Sequence, residues 1–194
     1  MYLHIKNKLP KTLLVQTAGF LKNNVPWHQV EYYSYKAQKT ILTPRLTYVY
    51  GYHQNNNLSF QRKIPLELRP LFMWFCNEYN TNFNFMLMAK YNDPNHSISY
   101  HSDDETFINL NTPIVALNIL EDKTPPLKFK LKNKSTKEIE SFSLENGDIF
   151  YMSWENQRTH MHGIMKNKNF TGTRYGITFR SGNQKAIHNY YKYN

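Results

Sequence analysis

Apolar positions along this chain fall into two textures. In the first eighty residues they recur at helical spacing. Leu68, Phe72, Phe75 and Tyr79 mark one face of a helix that Pro65 opens, with Pro70 tolerated in its first turn. Leu13 to Asn23 reads as a second short helix, and Thr47 to Tyr52 (TYVYGY) as a strand. From residue 83 the texture changes to short alternating runs. FNFMLMAKY (83–91), SISYHSD (97–103), PIVALNIL (113–120), LKFKLK (127–132), EIESFSL (138–144), DIFYMSW (148–154) and RYGITFR (174–180) each read as a strand. Asn, Gly, Pro and Asp stand between them. Many short strands punctuated by turn residues predict a β-sandwich or jelly roll. The expected class is α+β, mainly β. No repeat or linker interrupts the chain, so residues 1–194 read as one domain, with a helical, basic layer over 1–66 and a β-core over 83–182.

Composition narrows the class further. The 194 residues carry 40% hydrophobic and 15% aromatic side chains, enough to fold around a core. One cysteine, Cys76, excludes a disulfide framework or a thiolate zinc cluster and reads as a small core residue. No apolar run reaches the ~20 residues of a spanning helix, and MYLHIKNKLPK does not resemble a secretory leader. With no targeting signal in view, an intracellular protein is expected, its compartment unspecified. The net charge is +10. It is concentrated: residues 1–66 hold Lys6, Lys8, Lys11, Lys22, Lys36, Lys39, Arg45, Arg62 and Lys63 against the single acid Glu31, and the remainder is close to balanced. Trp27, Tyr32, Tyr33, Tyr35, Tyr48, Tyr50, Tyr52 and Phe60 interleave with these bases. Such a mixture suits nucleic acid, because cations hold phosphates and rings stack on bases. A solvated surface over ordinary core aromatics explains it equally well from composition alone.

The residues with chemistry lie in the β-core. On a strand, positions two apart share a face, so His101 and Asp103 could offer an imidazole and a carboxylate to one ion. His162 follows 59 residues after Asp103. Two histidines and one carboxylate form the facial triad of non-haem Fe(II) oxygenases, which leaves coordination positions open. His-x-Asp alone is common by chance. Arg174 and Arg180 lie on one face of RYGITFR and could grip a small dicarboxylate bidentately. The bland alternative places both on a solvated edge.

Together these blocks resemble the AlkB family of Fe(II)- and 2-oxoglutarate-dependent nucleic-acid demethylases. The resemblance runs from PRLTYVYG at Pro44-Arg45, through FNFMLMAKYNDPNHSISYHSDDE, GDIFYM and THMHGI, to RYGITFR. It implies a double-stranded β-helix, the jelly roll of that family. It implies Fe(II), 2-oxoglutarate and O2, with His101, Asp103 and His162 as iron ligands and Tyr91, Arg174 and Arg180 on 2-oxoglutarate. It implies a substrate pocket that includes Glu105 and Phe60, beside which the basic, aromatic first third, with Arg45, Tyr48 and Tyr50, reads as a lid that stacks on the target base and holds its phosphates. Two positions depart from the family: Ala89 stands where Asn is usual in Asn-x-Tyr, and Gly176 where Asn is usual in Arg-x-Asn-x-Thr-x-Arg. Both remove a side chain beside the co-substrate. His160 competes with His162 for the distal ligand role, and the small Gly163 after His162 favours the latter. The other histidines read as ordinary polar residues.

The expected activity is oxidative removal of N-methyl lesions of the 1-methyladenine and 3-methylcytosine type from DNA or RNA, by a monomer with no protein partner implied. The alternatives are an oxygenase with the same cofactors acting on other RNA, tRNA, protein or lipid, and a nucleic-acid-binding relative with weakened catalysis, favoured only by Ala89 and Gly176. A basic β-scaffold without metal must treat every matching block as coincidence.

Overall fold

The computed structural model describes residues 1–34, 38–51, 62–104, 108–109 and 111–182, with side chains 32–34 left out. Two antiparallel sheets face each other. The larger is ordered β1 (Tyr2–Ile5), β10 (Ile149–Met152), β7 (Ile114–Leu120), β12 (Arg174–Arg180), β5 (Phe85–Tyr91) and β4 (Leu46–Gly51). The smaller is ordered β6 (Ile98–His101), β11 (His160–Ile164), β8 (Lys128–Asn133) and β9 (Ile139–Ser143). A hairpin of β2 (Glu31–Ser34) and β3 (Lys39–Leu42) stands apart from both. The helices are α1 (Lys11–Asn23), α2 (Arg69–Glu78), preceded by a 3-10 turn over Leu66–Leu68, and the short α3 (Trp154–Thr159). None is long and apolar enough to cross a membrane.

Strand periodicity builds two cores from one sheet. Tyr175, Ile177 and Phe179 of β12 point away from the small sheet and are fully buried with Phe20, Leu21, Leu71 and Phe75 of the helices. Phe75 stacks on Phe179 with ring centroids 3.8 Å apart. The alternate residues of the large sheet face inward. With Phe129, Leu144 and Ile164 of the opposing side, Tyr91, Ile114, Phe150 and Met152 make the second core. Arg174, Gly176, Thr178 and Arg180 share this inward side and line the cavity between the sheets.

Several expectations change in detail. The first 66 residues do more than cover the core: β1 and β4 are the two edge strands of the large sheet. His4 caps this arrangement, its Nε2 lying 2.7 Å from the buried Asp148 carboxylate. The run 97–103 is strand only to His101, so Asp103 sits past the strand end rather than two places along it. Four elements had no clear sequence signal: β1, the β2–β3 hairpin, α3 and β11. Cys76 packs against the helix-side core, and burial pushes its thiol pKa up.

Because Phe75 is fully buried and stacked, Phe75→Ala should cost about 3–5 kcal/mol of stability. Urea denaturation checks this; a destabilisation under about 1 kcal/mol, close to the surface-substitution range, would show that α2 does not cover the sheet.

Candidate metal and co-substrate site

His101 and His162 are cross-strand partners on β6 and β11, and their ring centroids lie 4.3 Å apart. This close approach depends on Gly163. A Cβ there would stand 2.8 Å from the Ile98 carbonyl oxygen, so a side chain would push the two strands apart. Asp103 enters from beyond β6. Its Oδ1 is 3.5 Å from His101 Nε2 and its Oδ2 is 3.4 Å from His162 Nε2. The three ligand atoms all lie within 4.8 Å of one another.

The neighbours fix each donor. His101 Nδ1 lies 2.9 Å from the Ser99 carbonyl, which only accepts. That nitrogen therefore carries a proton, and Nε2 faces inward to the Asp103 carboxylate. Gln157, fully buried on α3, accepts a 2.9 Å hydrogen bond from the Asp103 backbone N–H. Phe129 stacks on the His162 ring at 5.5 Å. Sequence reasoning missed Gln157; a buried glutamine five residues before a ligand histidine has no local signature.

Electrostatics favour a cation here. Burial alone would push the Asp103 carboxyl up, but the Arg180 guanidinium and the two nearby histidines outweigh it and hold its pKa well below the usual range. The Arg180–Asp103 ion pair measures 3.0 Å. Burial pushes the His162 pKa down, with Asp103 opposing, so its imidazole is neutral at pH 7 and free to donate a lone pair. Asp103 Oδ2 is buried without a hydrogen-bond partner. An orphaned carboxylate oxygen costs free energy unless something cationic meets it. Two imidazoles and this carboxylate fit Fe(II) in kind and number.

The cavity continues from this centre towards Tyr91 and Arg174. Arg174 is buried. Its Nε donates to Asn118 Oδ1 at 2.6 Å, and its guanidinium carbon lies 4.9 Å from the Tyr91 ring centroid. Arg45, from the loop before β4, lines the same cavity. Ala89 and Gly176 are cross-strand partners inside it, so the two departures from the family pattern fall side by side.

Not every expected residue arrives here. Tyr48 and Tyr50 pair with Met88 and Met86 and point to the helix side of the sheet, away from the cavity. Tyr50 is buried there against Phe20, with centroids 6.4 Å apart. Strand parity is the reason: in TYVYGY the inward positions fall on Thr47 and Val49. His160 stands next to the centre without joining its donor set, its Nδ1 meeting the Thr159 hydroxyl at 2.8 Å. Phe60 and Glu105 lie outside the described residues.

These features belong to a known class. The profile of the 2OG-Fe(II) oxygenase superfamily matches residues 3–180, and the chain is a member of that family. Membership implies Fe(II), 2-oxoglutarate and O2. Within the class, the chain is 25% identical over 119 residues to the DNA oxidative demethylase ALKBH2 of Arabidopsis thaliana, a match covering 52% of this chain and 38% of that protein. It is 45% identical over 51 residues to the uncharacterized protein R406 of Acanthamoeba polyphaga mimivirus, covering 26% of this chain and 27% of the relative. The matches thus span well under half of either relative. Among solved structures, OsALKBH1 aligns with a TM-score of 0.58 at 12% identity, covering 93% of this chain and 97% of that one. A 2OG-Fe(II) family oxidoreductase from Burkholderia pseudomallei aligns at 0.61 and 11%, covering 94% and 88%. A Trichoplax adhaerens prolyl hydroxylase aligns at 0.62 and 10%, covering 95% and 84%. At such identities these structures share the fold.

Two outcomes follow from the geometry. Gln157→Leu should weaken Mn(II) or Fe(II) affinity by about 10–100-fold while the protein stays folded, as removing a ligand's hydrogen-bonded support does elsewhere; equilibrium dialysis reads it, and unchanged affinity would remove Gln157 from the site. The metal-free protein should lose stability on acidification below the ordinary His value of 6.5. With the folded His162 pKa depressed, the unfolded chain takes up that proton first. Urea midpoints from pH 7.5 to 5 should fall, and fall less in His162→Gln; identical profiles would contradict the burial argument.

Proposed function

We propose that this protein is an oxidative demethylase of methylated nucleic acid, acting on N-methyl lesions of the 1-methyladenine and 3-methylcytosine type in DNA or RNA. The observation that carries this reading is a row of cations on the sheet that holds the ligand histidines. Lys128, Lys130 and Lys132 alternate along β8 and share the outer face of the small sheet. Their cross-strand partners are Ser143, Ser141 and Ile139 on one side and Gly163 and Met161 on the other, none of them acidic. The Lys132 ammonium lies 5.5 Å from the ring centroid of Tyr100, the residue before the ligand His101. Strand geometry spaces these residues by roughly 6.6 Å along the backbone, a row of cations suited to a phosphate backbone. The basic first third and the similarity to a DNA oxidative demethylase support the same substrate class.

Each residue then has a task. His101, Asp103 and His162 would hold the iron. Arg180 would keep Asp103 ionised, and Arg174 with Tyr91 would bind 2-oxoglutarate. Phe129 and the second core would exclude water from the His162 side. Fe(II), with 2-oxoglutarate and O2, would supply the oxidation that turns N–CH3 into N–CH2OH, which breaks down to formaldehyde and the N–H base. A stacked base cannot reach a centre enclosed between two sheets, so the target nucleotide would be unpaired or flipped. Phe60 and Glu105 would stand around it by analogy with the family.

The direct test is mass spectrometry of short DNA and RNA oligonucleotides carrying 1-methyladenine or 3-methylcytosine, incubated with Fe(II), 2-oxoglutarate and ascorbate. Loss of one methyl mass is expected, absent in His101→Ala. Turnover of 2-oxoglutarate that no methylated oligonucleotide stimulates would point to another substrate. For the lysine row, Lys128→Gln, Lys130→Gln and Lys132→Gln together should weaken oligonucleotide binding. The same triple substitution should lower the salt slope by about 0.7–0.9 for each phosphate no longer neutralised. An unchanged slope would place the nucleic acid elsewhere.

A further inference from the structure

The co-substrate pocket has lost two amide positions, yet its far end is not empty of polar groups. Asn118 of β7 lies across from Gly176 and is 1% exposed. Its Nδ2 donates to the Leu144 and Glu145 carbonyls at 2.8 and 2.9 Å, which fixes the amide with Oδ1 towards Arg174 Nε. Gly176 leaves open room beneath that arrangement. A Cβ at 176 would stand 3.3 and 3.4 Å from the two terminal nitrogens of Arg174, so the guanidinium lies directly over the glycine. Arg45 approaches the same end. Its Nε is buried without a hydrogen-bond partner, and it lines the cavity with Tyr91, Ala89 and Arg174. Two guanidiniums in one low-dielectric cavity repel each other unless an anion lies between them. At the other end Arg180 is engaged with Asp103.

We infer that Arg45 and Arg174 together clamp the distal carboxylate of the 2-oxo acid, with Asn118 as the positioning residue that holds Arg174 over Gly176. Arg45 is thereby a co-substrate residue rather than a phosphate contact. Ala89 and Gly176 clear the space in which the clamp forms instead of marking a decayed site. One consequence concerns the lid: Arg45 precedes β4 and joins it to the β2–β3 hairpin, so a bound dianion ties that basic segment to the core.

The test measures binding without turnover, on full-length protein loaded with Mn(II). 2-Oxoglutarate is compared with 2-oxopentanoate, which has the same chain length and no distal carboxylate. Arg45→Gln should weaken 2-oxoglutarate about tenfold or more, the scale of one charge-assisted hydrogen bond, and leave 2-oxopentanoate unchanged. Oligonucleotide affinity without co-substrate should also stay unchanged. Asn118→Ala should reduce the same discrimination between the two acids, while Mn(II) affinity holds. If Arg45→Gln leaves the discrimination intact and instead weakens oligonucleotide binding, the clamp is wrong and Arg45 belongs to the nucleic-acid surface. If both acids weaken equally, Arg45 acts on the pocket's shape and the clamp is equally wrong. Neither result depends on which substrate the enzyme demethylates.

Discussion

A carboxylate that is 2% exposed needs a cation, and much of this structure follows from meeting that need at Asp103. Arg180 supplies the standing partner at 3.0 Å, from the last residue of β12. That pairing does not saturate the carboxylate: Oδ2 remains without a hydrogen bond. A buried ion pair is weak evidence for stability, since desolvation offsets the attraction, but an unfinished one is good evidence for a ligand. The two histidines converge on the free side, one ring held by Ser99 and the other stacked on Phe129. The metal completes a site whose charge is otherwise incomplete.

The scaffold serves that geometry. Antiparallel pairing places His101 opposite His162, and Gly163 lets the strands approach closely enough for one ion to bridge them. Alternation on β12 sends Tyr175, Ile177 and Phe179 to the helices, and Arg174 and Arg180 to the cavity. One strand therefore anchors the fold with one parity and lines the cavity with the other. This explains why an apolar helical layer lies behind the site: it is what allows a charged strand to sit in the middle of a sheet.

Much of this was legible in the chain. The alternating runs after residue 83 became strands β5 to β10 and β12, and His101, Asp103, His162, Arg174 and Arg180 do meet around one cavity. Strand parity, which is local, carried the information for Arg174 and Arg180, whereas Asp103 lies past the end of its strand. What is not local stayed hidden. β1 is four residues whose place depends on pairing with β10, far along the chain. Gln157 and Asn118 are ordinary amides until the fold buries them. Tyr48 and Tyr50 looked like a base-stacking wall because aromatic residues carry no label for which side of a sheet they face. Ala89 and Gly176 looked like two separate losses, and only the register shows them as neighbours with Asn118 beside them.

One cavity would hold Fe(II) on the His101–Asp103–His162 triad and 2-oxoglutarate on Arg174. Anaerobic titration with Fe(II) and then 2-oxoglutarate, followed by visible absorption, reads both at once. A charge-transfer band is expected only when the two are present together. It should be absent in folded Asp103→Ala, and should need much more 2-oxoglutarate in Arg174→Met. A band that survives Asp103→Ala, or no band in the native protein despite measured iron and 2-oxoglutarate binding, would overturn the shared-cavity assignment.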